Sequence, residues 1–500
     1  MADTKSLKAR FAKLHPHREQ FLQRARHNAL LTIPSLVPLA GHDGRAHLIE
    51  PYQGLGSAGV VHLSSRLTMS LLPAGRPHLR LDLPPRIVME NGGEIPKEIE
   101  KGLALSEQII QGEVEDKGWR PVTLQSIQQL LVAGSVIEHH LPDNTIRIFR
   151  LEQFVVRRDY AGRVLEAIIE EKLTPDTLPP GVEAKSQDED EPVFLYTSIK
   201  RKPNGVYTVS QEVDGAAVGK AIEFISNDLP YRFLRWSATP GEDYGRSFVE
   251  EHIADLRSLD SLEKAMLEMA AMASRNFIAV RPGAGGTGIR RRITQAVNGD
   301  VVMVDPESLE LKSFDNTGGY QITQAQVQSL RESLAKAFLL LSAGQRDAER
   351  VTAVEIERDI QELEAALGGN FSNLNAEMME PRTRLLMSIM EANGELPEAI
   401  TSSTRPTILT GLEALSRERD VGRAVQLMQI AGAAGDAGFD AVKMDKLLAR
   451  VAIGLGFPDV VRTDEEIQQR QAQRQQAELA QAIAGPAAGA IAKGATEGPA

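Results

Sequence analysis

Apolar residues recur at steps of three and four over residues 5–30, and this spacing predicts an amphipathic helix that Pro34 and Pro38 stop. Small and apolar residues over 54–72 (GLGSAGVVHLSSRLTMSLL) predict a second helix, closed by Pro73. RPHLRLDLP then alternates like a strand, and helices are predicted over 95–117 and 121–134. From 145 to 236 the period drops to two. TIRIFRLEQFVVRRD, RVLEAIIEEKLT, PVFLYTSIKRK, GVYTVSQEVDG and YRFLRWS are rich in β-branched and aromatic residues, which predicts a mostly antiparallel sheet. Asp159-Tyr160-Ala161-Gly162 is expected to turn between two of its strands. Residues 175–192 read as a long acidic loop.

The helical period returns at 247. Val249, Ile253, Leu256, Leu259, Leu262, Met266, Met269 and Ala273 make one stripe, on a helix roughly 40 Å long at 1.5 Å per residue. Such a stripe reads as packing within or between subunits. Residues 277–320 are irregular and strand-like. A second striped helix covers 322–341 through Val327, Leu330, Leu334, Phe338 and Leu341. GQRDAERV (344–351) carries no period and four charges. It runs into a third helix from 353, striped by Ile356, Ile360, Leu363 and Leu367. Thr352-Ala353-Val354-Glu355 matches S/T-x-x-E, a capping box in which Thr352 and Glu355 satisfy each other's backbone amides and fix the helix start. Gly368-Gly369 interrupts that helix before a segment at about 371–393. More helices are predicted over 408–457, and residues 464–482 are Gln-rich and helical. AIAGPAAGAIAKGATEGPA is low in complexity and expected to be disordered. The predicted class is α+β and predominantly helical.

Composition narrows the chemistry. At 500 residues the chain exceeds one ordinary core, so several subdomains are expected. Hydrophobic content of 42% and charged content of 25% fit a globular protein, and 5% aromatics predict aliphatic, Met-rich cores. A net charge of −12 argues against tight gripping of nucleic acid, which depends on counterion release by Lys and Arg. With no cysteine, disulfides, thiolate metal sites and Cys nucleophiles are excluded. The start, MADTKSLKARFAKL, has no apolar signal core, and no run of about 18 apolar residues predicts a membrane span. These features are those of a cytosolic-type protein.

The motif search yields no catalytic constellation. Gly283, Gly285 and Gly288 form a formal GxGxxG, but basic, β-like residues follow them rather than a helix, so a loop is expected. No P-loop, GxSxG or HExxH occurs. His15-Pro16-His17 and Glu138-His139-His140 lack a third ligand at metal spacing, and the second pair is expected at a helix end. Glu250, Glu251, Asp255 and Asp260 read as a solvated helix face. Arg290, Arg291 and Arg292 form the one dense basic cluster, suited to phosphate, to an acidic partner, or to plain solvation.

LTIPSLVP (31–38), GLGSAGVVHLSSRLTMSLLP (54–73), LLVAGSVIEHHLP (130–142), YGRSFVEEHIADLRSLDSLEKA (244–265) and RVTAVEIERDIQELEAALGG (350–369), in this order of elements, resemble the portal, or head-to-tail connector, proteins of podovirus-type phages. The resemblance spans about residues 10 to 470. It implies a ring-shaped homo-oligomer, typically a dodecamer, at one capsid vertex of the virion, assembled in the host cytoplasm. Double-stranded DNA would pass through it without sequence preference, driven by a separate terminase. Tail adaptor, capsid and scaffolding proteins would be its other partners. No enzyme activity, metal, cofactor or membrane contact is implied.

Carried onto this chain, the resemblance makes 1–246 the wing, 247–276 and 322–341 the stem helices, and 277–321 the clip. Residues 342–352 become the channel loop, 353–399 the long wing helix region, 400–462 the crown, and 463–500 a helical then disordered tail. Gln345, Arg346 and Arg350 are then the DNA-facing candidates, Arg290, Arg291 and Arg292 the clip contacts, and Thr352 and Glu355 the cap that closes the loop. The alternatives are another helical virion scaffold or tail adaptor, and a nucleotide-binding oxidoreductase using Gly283–Gly288.

Overall fold

The computed structural model describes residues 6–42, 47–73, 77–90, 97–179, 192–213, 215–273, 277–280, 309–312, 317–340, 367, 369–397, 404–408, 411–433 and 442–454, with isolated positions such as Arg291 and 460–462. Among the described residues the fold is mixed α+β and mostly helical.

The N-terminal part is built from helices Leu7–Leu30, Leu55–Leu71, Lys97–Asp116 and Trp119–Ala133 around one aliphatic core, with strand β1 Leu79–Asp82 between the second and third. Leu63, Leu67, Leu71, Ile127, Leu130 and Leu131 are all fully buried there. Pro16 sits inside the first helix without ending it. Trp119–Ala133 ends at Gly134, whose φ of +77° favours glycine and whose α-carbon faces the backbone of Gly245. A Cβ on Gly134 would stand 2.4 Å from the Gly245 carbonyl oxygen, so the two glycines let strand and loop touch.

Two antiparallel sheets follow. In the smaller, β2 Ser135–His140 lies between β3 Ile146–Phe149 and β9 Tyr231–Arg235. The larger is a five-stranded meander of β4 Phe154–Arg158, β5 Val164–Leu173, β6 Val193–Arg201, β7 Tyr207–Val213 and β8 Ala216–Phe224. The expected turn joins β4 to β5: the Gly162 amide donates to the Asp159 carbonyl at 2.9 Å, and the Asp159 carboxylate accepts from Ala161 and Arg163. Strand β8 is not among the strands that the sequence pattern predicts. Its alanines, Gly219 and Lys220 have little strand propensity, and pairing to β7 forms it as an exposed edge. The first helix lies on this sheet, where Arg10 makes a two-pronged pair with Glu166.

Helix Phe248–Ala273 leaves the core and returns as helix Thr317–Ala337. The second begins five residues before the predicted 322, because Gly318, Gly319 and Tyr320 join it. Between them β10 Phe277–Val280 pairs antiparallel with β11 Leu309–Lys312, Phe277 opposite Lys312. Beyond residue 366 come Gly369–Leu374, a π-helical turn Asn375–Met379, and Glu380–Ala392. The π turn ends two residues before Pro381, which cannot donate a backbone hydrogen bond. Strand β12 Arg405–Ile408 returns to pair with β1. Helices Gly411–Ala433 and Met444–Gly454 pack together at the C-terminal end.

Candidate functional site

The antiparallel pair Phe248–Ala273 and Thr317–Ala337 is the feature that leaves the body of the subunit, and its root is tied down by polar contacts. Ser247 Oγ accepts from the Glu250 amide at 3.1 Å, as an N-cap does, and from Asn28 of the first helix at 2.8 Å. Glu250 Oε1 accepts from Arg246 at 2.8 Å and from Arg24 at 3.3 Å. Asp260 Oδ1 accepts from the amides of Tyr52 at 2.7 Å and Gln53 at 3.3 Å, which fixes the entry to helix Leu55–Leu71. Glu250 and Asp260 are therefore structural anchors rather than the solvated face expected from sequence. A helical charge looks solvated until a distant segment supplies its partner.

Along the pair, cover falls away from the root. Val249, Leu256 and Leu259 are fully buried, while Ile253, Leu262 and Met266 are partly so. Farther out, Leu267 is 58% exposed and Met272 49%. The returning helix shows the same gradient, from Ile322 at 74% through Val327 to Leu334 at 1%. Glu263 and Arg331 bridge the two helices at 2.8 Å.

The returning helix ends in a fixed seat. Phe338 is fully buried, edge-on to Phe248 with ring centroids 5.3 Å apart and 6.0 Å from the His252 ring. Its ring lies against the backbone of Gly59, where a Cβ would meet Phe338 Cγ at 2.5 Å. Leu339 follows with φ +57°, and its carbonyl accepts from Arg66 at 3.4 Å. The segment predicted as a channel loop thus departs from a clamped point.

The channel-loop candidates Gln345, Arg346 and Arg350 lie outside the described residues, as do the cap residues Thr352 and Glu355 and the clip candidates Arg290 and Arg292. Arg291 is described, exposed and helical. The structure therefore neither gathers these residues nor separates them.

Past that segment, a buried ion pair that sequence reasoning missed fastens the chain back to the body. Arg382 and Glu138 are both fully buried. Arg382 Nε donates to Glu138 Oε2 at 2.7 Å, and its Nη2 donates to Glu138 Oε1. Ser126 Oγ donates to the same carboxylate at 2.6 Å, and Thr123 Oγ1 accepts from Arg382 Nη1 at 2.8 Å. The guanidinium carbon sits 5.9 Å from the Trp119 ring. A buried charge without such partners would be costly, so the two residues fix each other.

This also corrects the placement of Glu138-His139-His140, which lies on strand β2 and not at a helix end, because Gly134 stops the helix four residues earlier. His139 stacks on Tyr231 at 4.2 Å. Burial, then Arg147, lowers its pKa to about 4. His140 is held well below the ordinary value by burial and then by Arg382 and Arg232. Both are neutral packing groups. Among the described residues no three His, Asp or Glu converge to hold a metal ion. The cavity lined by His78, Trp119 and Arg120 measures about 90 Å³, under the ~300–1,000 Å³ of ligand pockets, and a polar surface groove lined by Lys101, Val461, Arg462 and Glu466 measures about 420 Å³. Among the described residues no helix is long and apolar enough to cross a membrane.

What this arrangement can do is mechanical: a clamped root, a projecting pair and a returning tie. Comparison with known proteins agrees. The family model "Bacteriophage head to tail connecting protein" matches residues 4–462. The portal protein of Escherichia phage T7 is 31% identical over 487 residues, covering 93% of this chain and 90% of that one. That of Enterobacteria phage T3 is 30% identical over 526 residues, covering 99% and 97%. The portal protein of Pseudomonas phage phiKMV is 28% identical over 492 residues, covering 92% and 93%. Among solved structures, a chain of the virion of the native gene transfer agent particle aligns with a TM-score of 0.38 and 13% identity, over 80% of this chain and 89% of that one. By its match along nearly the whole sequence, the chain belongs to the bacteriophage head-to-tail connecting, or portal, protein family.

Proposed function

We infer that this chain is the portal subunit of its phage, a structural component of the virion that forms an oligomeric ring and serves as the passage for DNA in packaging and ejection. The match over residues 4–462, which runs through both projecting helices, is the observation that carries this reading. The family is structural rather than enzymatic, so the dinucleotide reading of Gly283–Gly288 is set aside. A passive conduit needs no catalytic group and no P-loop, because a terminase does the work.

The finer parts follow the same reading. Twelve subunits form the ring, with residues 1–246 as wing, 247–276 and 322–341 as stem, 277–321 as clip, 342–352 as channel loop, 353–399 as long wing helix region and 400–462 as crown. Arg346, Arg350 and Gln345 face the DNA, and Arg290, Arg291 and Arg292 meet the terminase or tail adaptor. A net charge of −12 per subunit suits a channel that must not grip, since every phosphate neutralised adds salt-dependent affinity. A few arginines repeated round a ring still retain DNA through multivalency. Negative-stain microscopy of the purified protein tests the reading: rings with a central channel are expected, and monomers or dimers under all conditions would oppose it.

A further inference from the structure

The outer part of helix Phe248–Ala273 changes character where its own chain stops covering it. From Glu250 to Lys264 charges recur in every turn, whereas from Ala265 to Ala273 the only charge is Glu268. A helix segment with a single charge and otherwise apolar residues is one that is largely covered. Yet Leu267 is 58% and Met272 49% exposed in the single subunit.

The two side chains face different ways. At about 100° per residue, and taking the side of Leu262 and Met266 as the inward face, Leu267 lies about 120° to one side and Met272 about 100° to the other. Inward here means toward the core cluster that Leu262, Met266 and Leu330 pack against. Helix Phe248–Ala273 thus carries one exposed large apolar group on each flank, Leu267 and Met272. A subunit in a closed ring has a neighbour on each flank, and the contact is head-to-tail: one surface of each subunit meets a different surface of the next.

We propose that Leu267 of one subunit packs against the Met272 flank of the adjacent copy, so that the outer turns of this helix form a continuous apolar belt round the ring. The inference rests on the ring reading above and names the surface that closes it. The two residues are placed here as a contact between copies, and DNA has no part in it.

The absence of native cysteine makes a clean test. Leu267→Cys, Met272→Cys and the double variant are assembled under reducing conditions, imaged, then oxidised with copper–phenanthroline and run on a non-reducing denaturing gel. Within one subunit the two positions point about 140° apart on one helix, unfit for the specific geometry of a disulfide. The double variant is expected to give a ladder of linked subunits that collapses on reduction, and each single variant monomers. Rings that yield no ladder would overturn the belt while leaving the ring reading intact; dimers from Leu267→Cys alone would also overturn it, by showing a symmetric contact. Failure of the unaltered protein to form rings would refute the ring reading itself. A second variant, Leu267→Asp/Met272→Asp, alters only exposed groups. Native circular dichroism with at least a tenfold loss of ring assembly is expected, and undiminished rings would refute the proposal.

Discussion

The seat of Phe338 can be tested by adding one methyl group. Gly59→Ala places a carbon 2.5 Å from Phe338 Cγ and 2.6 Å from Cδ1, about an ångström inside ordinary contact. Phe338 is fully buried between Gly59, Phe248 and His252, and a ring has no flexible end to swing away. Overpacking of this kind costs about 1–3 kcal/mol. Against it stands the gain of about 1 kcal/mol for replacing glycine with alanine inside a helix. Gly112, inside helix Lys97–Asp116, has open space where its Cβ would stand and serves as control. Gly112→Ala should therefore stabilise by about 1 kcal/mol. Gly59→Ala should fall short of that control by about 1–3 kcal/mol. Urea denaturation of both variants measures the difference. Because Leu339 and the segment after it leave from the Phe338 seat, tryptic cleavage at Arg346 and Arg350 should also quicken in Gly59→Ala. Gly59→Ala/Phe338→Leu should recover part of both effects through its smaller side chain. Equal stabilisation by the two alanines, with unchanged cleavage, would refute the seat.

Further outcomes are expected. Arg382→Met leaves the Glu138 carboxylate buried without its partner and should cost about 3–5 kcal/mol in urea unfolding. Glu138→Leu/Arg382→Met should cost well below the sum of the single variants, and additive losses would contradict the pairing. Burial, then Arg120, holds His78 to a pKa of about 4, and burial, then Arg147, does the same for His139, against an ordinary 6.5. The unfolded chain therefore binds protons that the folded one refuses. Stability is full above 6.5 and falls as pH drops towards 4, by about 1.4 kcal/mol per pH unit for each histidine. His139→Asn should remove about one proton from the slope of urea stability against pH, and an unchanged slope would oppose the assignment. Arg346→Ala and Arg350→Ala should leave ring assembly intact but alter DNA packaging or retention, and normally filled heads would remove the loop's role. Replacing Arg290, Arg291 and Arg292 should weaken terminase or tail-adaptor docking in a pull-down more than it lowers the melting temperature, and unchanged docking would leave the cluster as solvated surface.

Local pattern carried much of the fold. The stripe from Val249 to Ala273 became Phe248–Ala273, the run at 121–134 became Trp119–Ala133, and the alternating RPHLRLDLP held strand β1. Each depends on neighbours in sequence. What was illegible depends on partners far along the chain. Glu138 and Arg382 are 244 positions apart, and an isolated charge in either segment reads as solvated. Asp260 reads as surface until Tyr52 and Gln53 arrive from 208 and 207 residues away. Strand β12 exists because β1 pairs with it, and β8 because β7 does. One missed signal was available: Gly134 is a helix stop, and it puts Glu138, His139 and His140 on the following strand. The fold family was readable from five segments spread over the chain, since their order and spacing constrain more than any one motif. The proposed site residues were readable only as candidates, because Arg346 or Arg290 gains a role from a channel or a docking partner, which a single subunit does not contain.

The most direct measurement is a cryo-electron microscopy reconstruction of the assembled protein. A closed twelvefold ring is expected, its continuous axial channel lined by helices Phe248–Ala273 and Thr317–Ala337, with Leu267 of each subunit against Met272 of the next. An assembly without a through channel, or a ring that carries this helix pair on its outer surface, would contradict it.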